Sequence, residues 1–169
     1  VIAQEETFGT KDVIQTYNII CKALIEAAKI LGVNADFNPG DPKNCPNIAI
    51  NAKKVSGSAQ FHKGGVLLQH GTFLLDVDLD KMFTFLRVPW AKTIRDVVCV
   101  AQDRLTSVKR ELNHAVSVPE AYEALIQGFE KALKVEFEEK PLTQVEQQLA
   151  SRLAQEKFST NDWTVDGKA

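Results

Sequence analysis

The sequence predicts an α+β domain in which a mixed or antiparallel sheet is flanked by helices. Residues 47–77 alternate with period two, as strands do. Residues 10–32 and 117–133 instead repeat their apolar side chains at helical spacing. The two kinds of segment come in blocks rather than in strict βαβ alternation, which favours α+β over a parallel doubly wound sheet.

Taken in order, Val1-Ile2-Ala3 reads as the tail of a strand with no cap or turn ahead of it, so the numbered chain is expected to start inside a fold. Thr10 can cap a helix whose buried stripe is Val13, Tyr17, Ile20, Leu24, Ala27 and Leu31, with Gly32 as the left-handed residue that ends it. A short strand is expected over Val33–Phe37, followed by a turn at Asn38-Pro39-Gly40-Asp41-Pro42. Three strands follow, Asn47–Asn51, Lys53–Phe61 and Val66–Val77, joined by turns at Asn51-Ala52 and Lys63-Gly64. By parity Lys54, Ser56, Ser58 and Gln60 share one face of the second strand, and Val55, Gly57, Ala59 and Phe61 the other.

Asp78 opens a short helix through Met82, Phe83 and Leu86 that stops before Pro89. Residues 91–112 carry a weaker pattern, in which Thr106 can cap a short helix containing Val108 and Leu112. Ser117-Val118-Pro119-Glu120 is a capping box with proline in the first turn, and it opens a helix with Tyr122, Leu125, Ile126, Phe129 and Leu133 on its buried side. Val135-Glu136-Phe137 suits a strand, and Thr143-Gln144-Val145-Glu146 is a second capping box, opening a helix through Leu149 and Leu153.

A chain of 169 residues, 44% hydrophobic, is enough for one ordinary core, so a single domain over 1–169 is expected. Its net charge of -2 is spread rather than blocked, which argues against nucleic acid or an anionic membrane as the partner. No apolar run reaches the roughly 18 residues of a membrane span. Three widely spaced cysteines, Cys21, Cys45 and Cys99, fit a reduced cytoplasmic compartment better than a disulfide framework.

The chemistry concentrates in Lys53-Lys54-Val55-Ser56-Gly57-Ser58-Ala59-Gln60 and Gln69-His70-Gly71-Thr72. Lys54 stands beside residues small enough to let a ligand lie against the strand backbone. An ammonium there can bind a carboxylate or a phosphate, or steady an oxyanion, though solvated strand lysines are common. His70 lies mid-strand among Leu67, Leu68, Phe73 and Leu74, where a histidine is more often structural than catalytic. A two-residue turn at Lys63-Gly64 would set it opposite Gly57. His62 and His114 read as surface residues, and no metal site is expected from the spacing of His, Cys and acids. Cys45, in a loop near a lysine, is open to two readings, a thiolate nucleophile or an inert thiol. Cys21 and Cys99 sit in apolar surroundings and read as packing.

From Lys53 to Gln60 and on through Gly65-Val66-Leu67-Leu68-Gln69-His70-Gly71-Thr72-Phe73-Leu74-Leu75-Asp76, the chain resembles the biotin/lipoate protein ligase family, nearest to lipoate–protein ligases and octanoyltransferases. Arg104-Leu105-Thr106-Ser107-Val108 is similar to that family's Arg-Val-Thr-Asn-Leu segment. Lys157-Phe158-Ser159-Thr160-Asn161-Asp162-Trp163 is similar to the signature closing its catalytic domain. The resemblance implies a class II synthetase-like fold, with Lys54 as the active-site lysine beside the acyl carboxyl group. Gly57, Ser58 and Ala59 would line the acyl tunnel, and His70, Gly71 and Thr72 its facing wall. It implies ATP and lipoate as substrates, lipoyl-AMP as intermediate and room for magnesium. The acceptor would be a lysine of a lipoyl domain or glycine-cleavage H protein.

Two departures stand out. The family's arginine- and glycine-rich run, expected ahead of the first helix, is absent, which implies an N-terminally incomplete catalytic domain. Pro46-Asn47 also replaces an Asn-Asp pair. Cys45-Pro46 matches the dipeptide of transferases that form an acyl-thioester and use no nucleotide. The chain ends soon after Trp163, so no C-terminal accessory domain is expected. The leading expectation is an ATP-dependent lipoate–protein ligase, and the alternative an octanoyl- or lipoyl-transferase working through Cys45. A third reading is a noncatalytic fragment completed by its missing N-terminal portion or a separate accessory subunit.

Overall fold

The computed structural model describes residues 1–41 and 44–168; Pro42, in the expected turn, lies outside them. Two compact units follow one another along the chain, Val1–Glu136 and Phe137–Ala169. Among the described residues no helix is long and apolar enough to cross a membrane.

The first unit is α+β, as the periodicities require. Strand β1 (Ile2–Gln4) leads into a 3-10 turn (Glu5–Phe8) and helix α1 (Val13–Ile30). Asp12 rather than Thr10 caps α1, accepting from the Gln15 amide at 2.7 Å; Thr10 instead accepts from Asp12 N–H. Gly32 takes the left-handed φ of +92° expected of it. Next come β2 (Asp36–Asn38), β3 (Asn47–Ile50), β4 (Lys53–Lys54), β5 (Ser56–Lys63) and β6 (Val66–Phe73). They form two three-stranded antiparallel sheets, ordered β1-β6-β5 and β2-β3-β4.

The strand expected over Lys53–Phe61 is therefore divided between two sheets. Val55 is the crossing point: its N–H donates to Ile48 O in one sheet, and its carbonyl accepts from Leu74 N–H beside the other. Val55 and Ser56 are both fully buried, so strict alternation fails there. Beyond the crossing, the polar face of β5 is the covered one. Gln60 Oε1 accepts from the buried Thr16 hydroxyl at 3.0 Å, Gln60 donates to Gln69, and His62 bridges Gln60 (3.0 Å) and Glu5 (2.8 Å). His62 is thus a half-buried strand residue rather than a surface one. The opposite face leaves Phe61 exposed.

The β5–β6 turn is Gly64-Gly65, both at positive φ, one residue later than the Lys63-Gly64 pair. That slip moves the register by two, so His70 faces Ala59 and Thr72 faces Gly57. Asn51-Ala52 turns as expected, with both residues at positive φ.

Helix α2 (Leu79–Phe85) starts from its Asp78 cap, whereas the longer α3 (Ile94–Arg104), with a Thr93/Asp96 capping box, falls where the pattern was weak. The next short helix, α4 (Val108–Leu112), is capped by Ser107; Thr106 is buried and its hydroxyl donates to Glu111. The Ser117 box opens α5 (Val118–Leu133) as expected, but its buried face is Ala121, Ala124 and Gly128, and Tyr122 is exposed. The core forms where α1 and α5 pack on both sheets, around Cys21, Ala28, Ile48, Ile50, Val55 and Val108. No strand forms at residues 135–137, since β propensity reflects packing in a sheet rather than an intrinsic backbone preference. Val135 N–H instead closes the last turn on Glu130 O.

The second unit holds α6 (Gln144–Leu153), a wide turn at Ala154–Phe158 and α7 (Asn161–Thr164). Phe158 and Trp163 meet edge to face at 5.0 Å, with the Lys157 ammonium 4.6 Å from the Trp163 ring centre. The α6 cap is a full box: Thr143 N–H and hydroxyl both donate to Glu146 at 2.7 Å. The Thr143 hydroxyl, and then its amide, hold the Glu146 carboxyl below its ordinary range. A lowered folded-state pKa stabilises above the unfolded value and is lost as pH falls through the folded one. First-turn amides of α6 should therefore lose hydrogen-exchange protection on acidification through and below the carboxylate range, and Glu146→Gln should flatten that dependence. An unchanged profile in the variant would refute this.

Candidate functional site

Lys54 is fixed by its backbone. It pairs with Ala49 in the second sheet, bridges Leu105, and its carbonyl accepts from Thr106 N–H at 3.0 Å. Its neighbour Lys53 is drawn the other way, donating to Gln102 O at 2.8 Å at the end of α3. Because the chain changes sheet at Val55, the Lys54 side chain runs across Gly57, not along the Ser56-Ser58-Gln60 face that parity assigned to it. A Cβ on Gly57 would stand 3.3 Å from both Cε and Nζ of Lys54, and 3.6 Å from Thr72 Oγ1. Thr72 Oγ1 accepts from Gly57 N–H at 3.3 Å, so glycine is what leaves a seat for the ammonium.

A cleft of about 790 Å³ opens over this seat. The residues that the family resemblance assigns to the site line it, with Cys45: Lys54, Gly57, Ser58 and Ala59 on one side, His70, Gly71 and Thr72 on the paired strand, and Cys45 on the loop ahead of β3. His70 is exposed on the open face opposite Ala59, not among core side chains. Gly71 permits close strand approach, since a Cβ there would lie 2.5 Å from Gly57 O. A second, apolar recess of about 360 Å³ lies behind Ser58 and Gly71 against Ile20, Leu24, Leu125 and Phe129.

Cys45 is exposed and free. Gly40, at φ +75°, has no room for a Cβ, which would fall 2.1 Å from Asn44 O. Asp41 and Asn44 exchange backbone hydrogen bonds at 3.0 Å, and Asn47 Nδ2 donates to Cys45 O at 3.2 Å. Burial, reinforced by nearby Cys45, raises the Tyr17 phenol above its ordinary value. Cys21 is the contrasting thiol, pushed up to about 11 by burial and closed to chemistry at neutral pH. Cys99 is exposed on α3 rather than packed.

The cleft also gathers residues to which the sequence reading gave no role: Asn38, Asp41, Asn44, Asp103 and Arg104. Arg104 opens the Arg-Leu-Thr-Ser-Val segment, the one sequence signal pointing to it.

Two small antiparallel sheets backed by helices, with a lysine seated on glycine at their junction, define a class II synthetase-like α+β domain. The chain belongs to the Lipoyl protein ligase A/B catalytic domain family, which matches residues 1–130. Relatives named octanoyltransferase LipM include those of Brevibacillus brevis (27% identity, covering 98% of this chain and 66% of that protein) and Symbiobacterium thermophilum (29%, 90% and 62%). The chain thus spans just under two thirds of the length of these curated relatives.

Among solved structures, the chain is similar to that of a bi-partite lipoate protein ligase from Thermoplasma acidophilum, described with its E2 lipoyl domain. The match has a TM-score of 0.76 and 29% identity over 91% of this chain and 58% of that one. Another is lipoate-protein ligase A bound with ATP, at TM-score 0.73 and 29% identity over 90% of this chain and 59% of that one.

Proposed function

We propose that this chain is the catalytic domain of an octanoyl- or lipoyl-transferase that carries the acyl group on Cys45. The observation that carries this is the presence of an exposed thiol and the Lys54 ammonium in one cleft. The names of the relatives support the same reading over the ATP-dependent one. The Cys45 thiolate attacks the carbonyl carbon of an acyl-thioester donor, forming a new C–S bond and an oxyanion beside Lys54. Collapse breaks the donor C–S bond, and the donor sulfur leaves as a thiol with the proton Cys45 gave up. The amine of an acceptor lysine, on a lipoyl domain or an H protein, then attacks. The C–N bond forms, the Cys45 C–S bond breaks, and the amine proton ends on the freed thiol. Gly57, Ala59, Gly71 and Thr72 form the floor on which a thin acyl chain lies, with His70 at its edge.

Incubation with octanoyl-acyl carrier protein and no nucleotide should leave an octanoyl adduct on the intact protein, absent from Cys45→Ser. Transfer surviving in that variant would sink the thioester route. The ligase reading draws support from the likeness to lipoate ligases, one of them bound with ATP. The cleft is also roomier than an eight-carbon chain needs. Pyrophosphate release from ATP and lipoate would decide for it.

A further inference from the structure

The chain is acidic overall, at -2, yet residues 81–95 hold four cations and not one carboxylate. Lys81, Arg87, Lys92 and Arg95 are all exposed, and among the described residues none of them enters an ion pair. Between them the link from α2 to α3 turns large apolar side chains outward: Phe85 is 78% exposed and Trp90 60%, with Leu86 and Ile94 beside them. Apolar groups cost free energy in water, and aromatic residues with arginine are what binding hot spots use.

The patch is joined to the site by one rigid element. Helix α3 begins at Ile94 in the patch and ends at Arg104 in the cleft, a run of about 15 Å at helical rise. We infer that this patch docks an acidic protein domain that delivers the acyl group on a flexible thioester-linked arm. Complementary charge selects the partner and the apolar centre holds it. The span of α3 exceeds the reach of an acceptor lysine side chain, which favours the acyl donor as occupant. The inference rests on the thioester-transfer reading above.

The test compares wild type with Arg87→Glu/Lys92→Glu and with Trp90→Ala, none of them in the cleft. Two donors are used: octanoyl-acyl carrier protein, and the octanoyl thioester of N-acetylcysteamine, which has no protein to dock. Both variants should raise Kd and KM for the carrier-borne donor about tenfold or more, with a steep salt dependence in wild type. Turnover of the small thioester should not change. Carrier Kd and KM unaffected by both variants would overturn the inference. So would loss of binding to phosphatidylglycerol vesicles with carrier affinity intact, which would give the patch to a membrane surface. Wild type that binds the carrier through the patch but turns over neither thioester would retain the docking site and remove the transferase reading.

Discussion

Lys54→Ala is expected to slow acyl transfer by about 10²–10³-fold, the usual loss when a preorganised oxyanion partner is removed. The fold should survive. The half-buried side chain enters no ion pair among the described residues, and neither the register pairing of residue 54 with Ala49 nor the bond its carbonyl accepts from Thr106 N–H depends on it. The loss should appear in kcat as much as in kcat/KM, because the charge matters most when the carbonyl oxygen becomes negative. Single-turnover decay of the adduct proposed on Cys45, alongside a denaturant titration, reads both. A variant with wild-type kcat and only a raised KM would reduce Lys54 to a substrate anchor. An unfolded variant would make the seat structural.

Gly128→Ala should destabilise the first unit by about 2 kcal/mol net, although alanine is the better helix former by about 1 kcal/mol. The contacts decide the sign. A Cβ at 128 would lie 2.6 Å from Ala23 O and 2.7 Å from Ala27 N, backbone atoms of α1 that cannot swing away. The helices would have to part along the seam that Ala23, Ala27 and Ala124 keep narrow. A lower urea midpoint is the expected reading, and an equal or higher one would show that the seam has slack.

Much of this was open to reading in the residues themselves. Caps are local chemistry, so Asp78, Ser117 and Thr143 mark their helices where the structure has them. The small residues after Lys54 announced a close approach, and the cleft gathers them with His70 and Cys45. What escaped was set by distant partners. Helix α3 went unread because its Thr93/Asp96 box is a weaker signal than the glutamate form, and its surface is largely polar. The register followed a glycine pair rather than the lysine–glycine pair before it. Residues 135–137 are strand-like in type, and type alone does not make a strand. The change of sheet at Val55 has no mark in the residues beside it, since it is enforced by Ile48 on the preceding strand and by Leu74 beyond β6.

That crossing carries a consequence for redundancy. Charge is plentiful here and placement is scarce: Lys53 offers the same ammonium one position earlier, yet its hold on the Gln102 carbonyl spends it on the opposite flank. The lysine hangs from one sheet while its glycine cushion belongs to the other, so the length of the joint between them, not the abundance of basic residues, sets where the cation comes to rest. Lys53, its nearest like-charged neighbour in sequence, is no understudy.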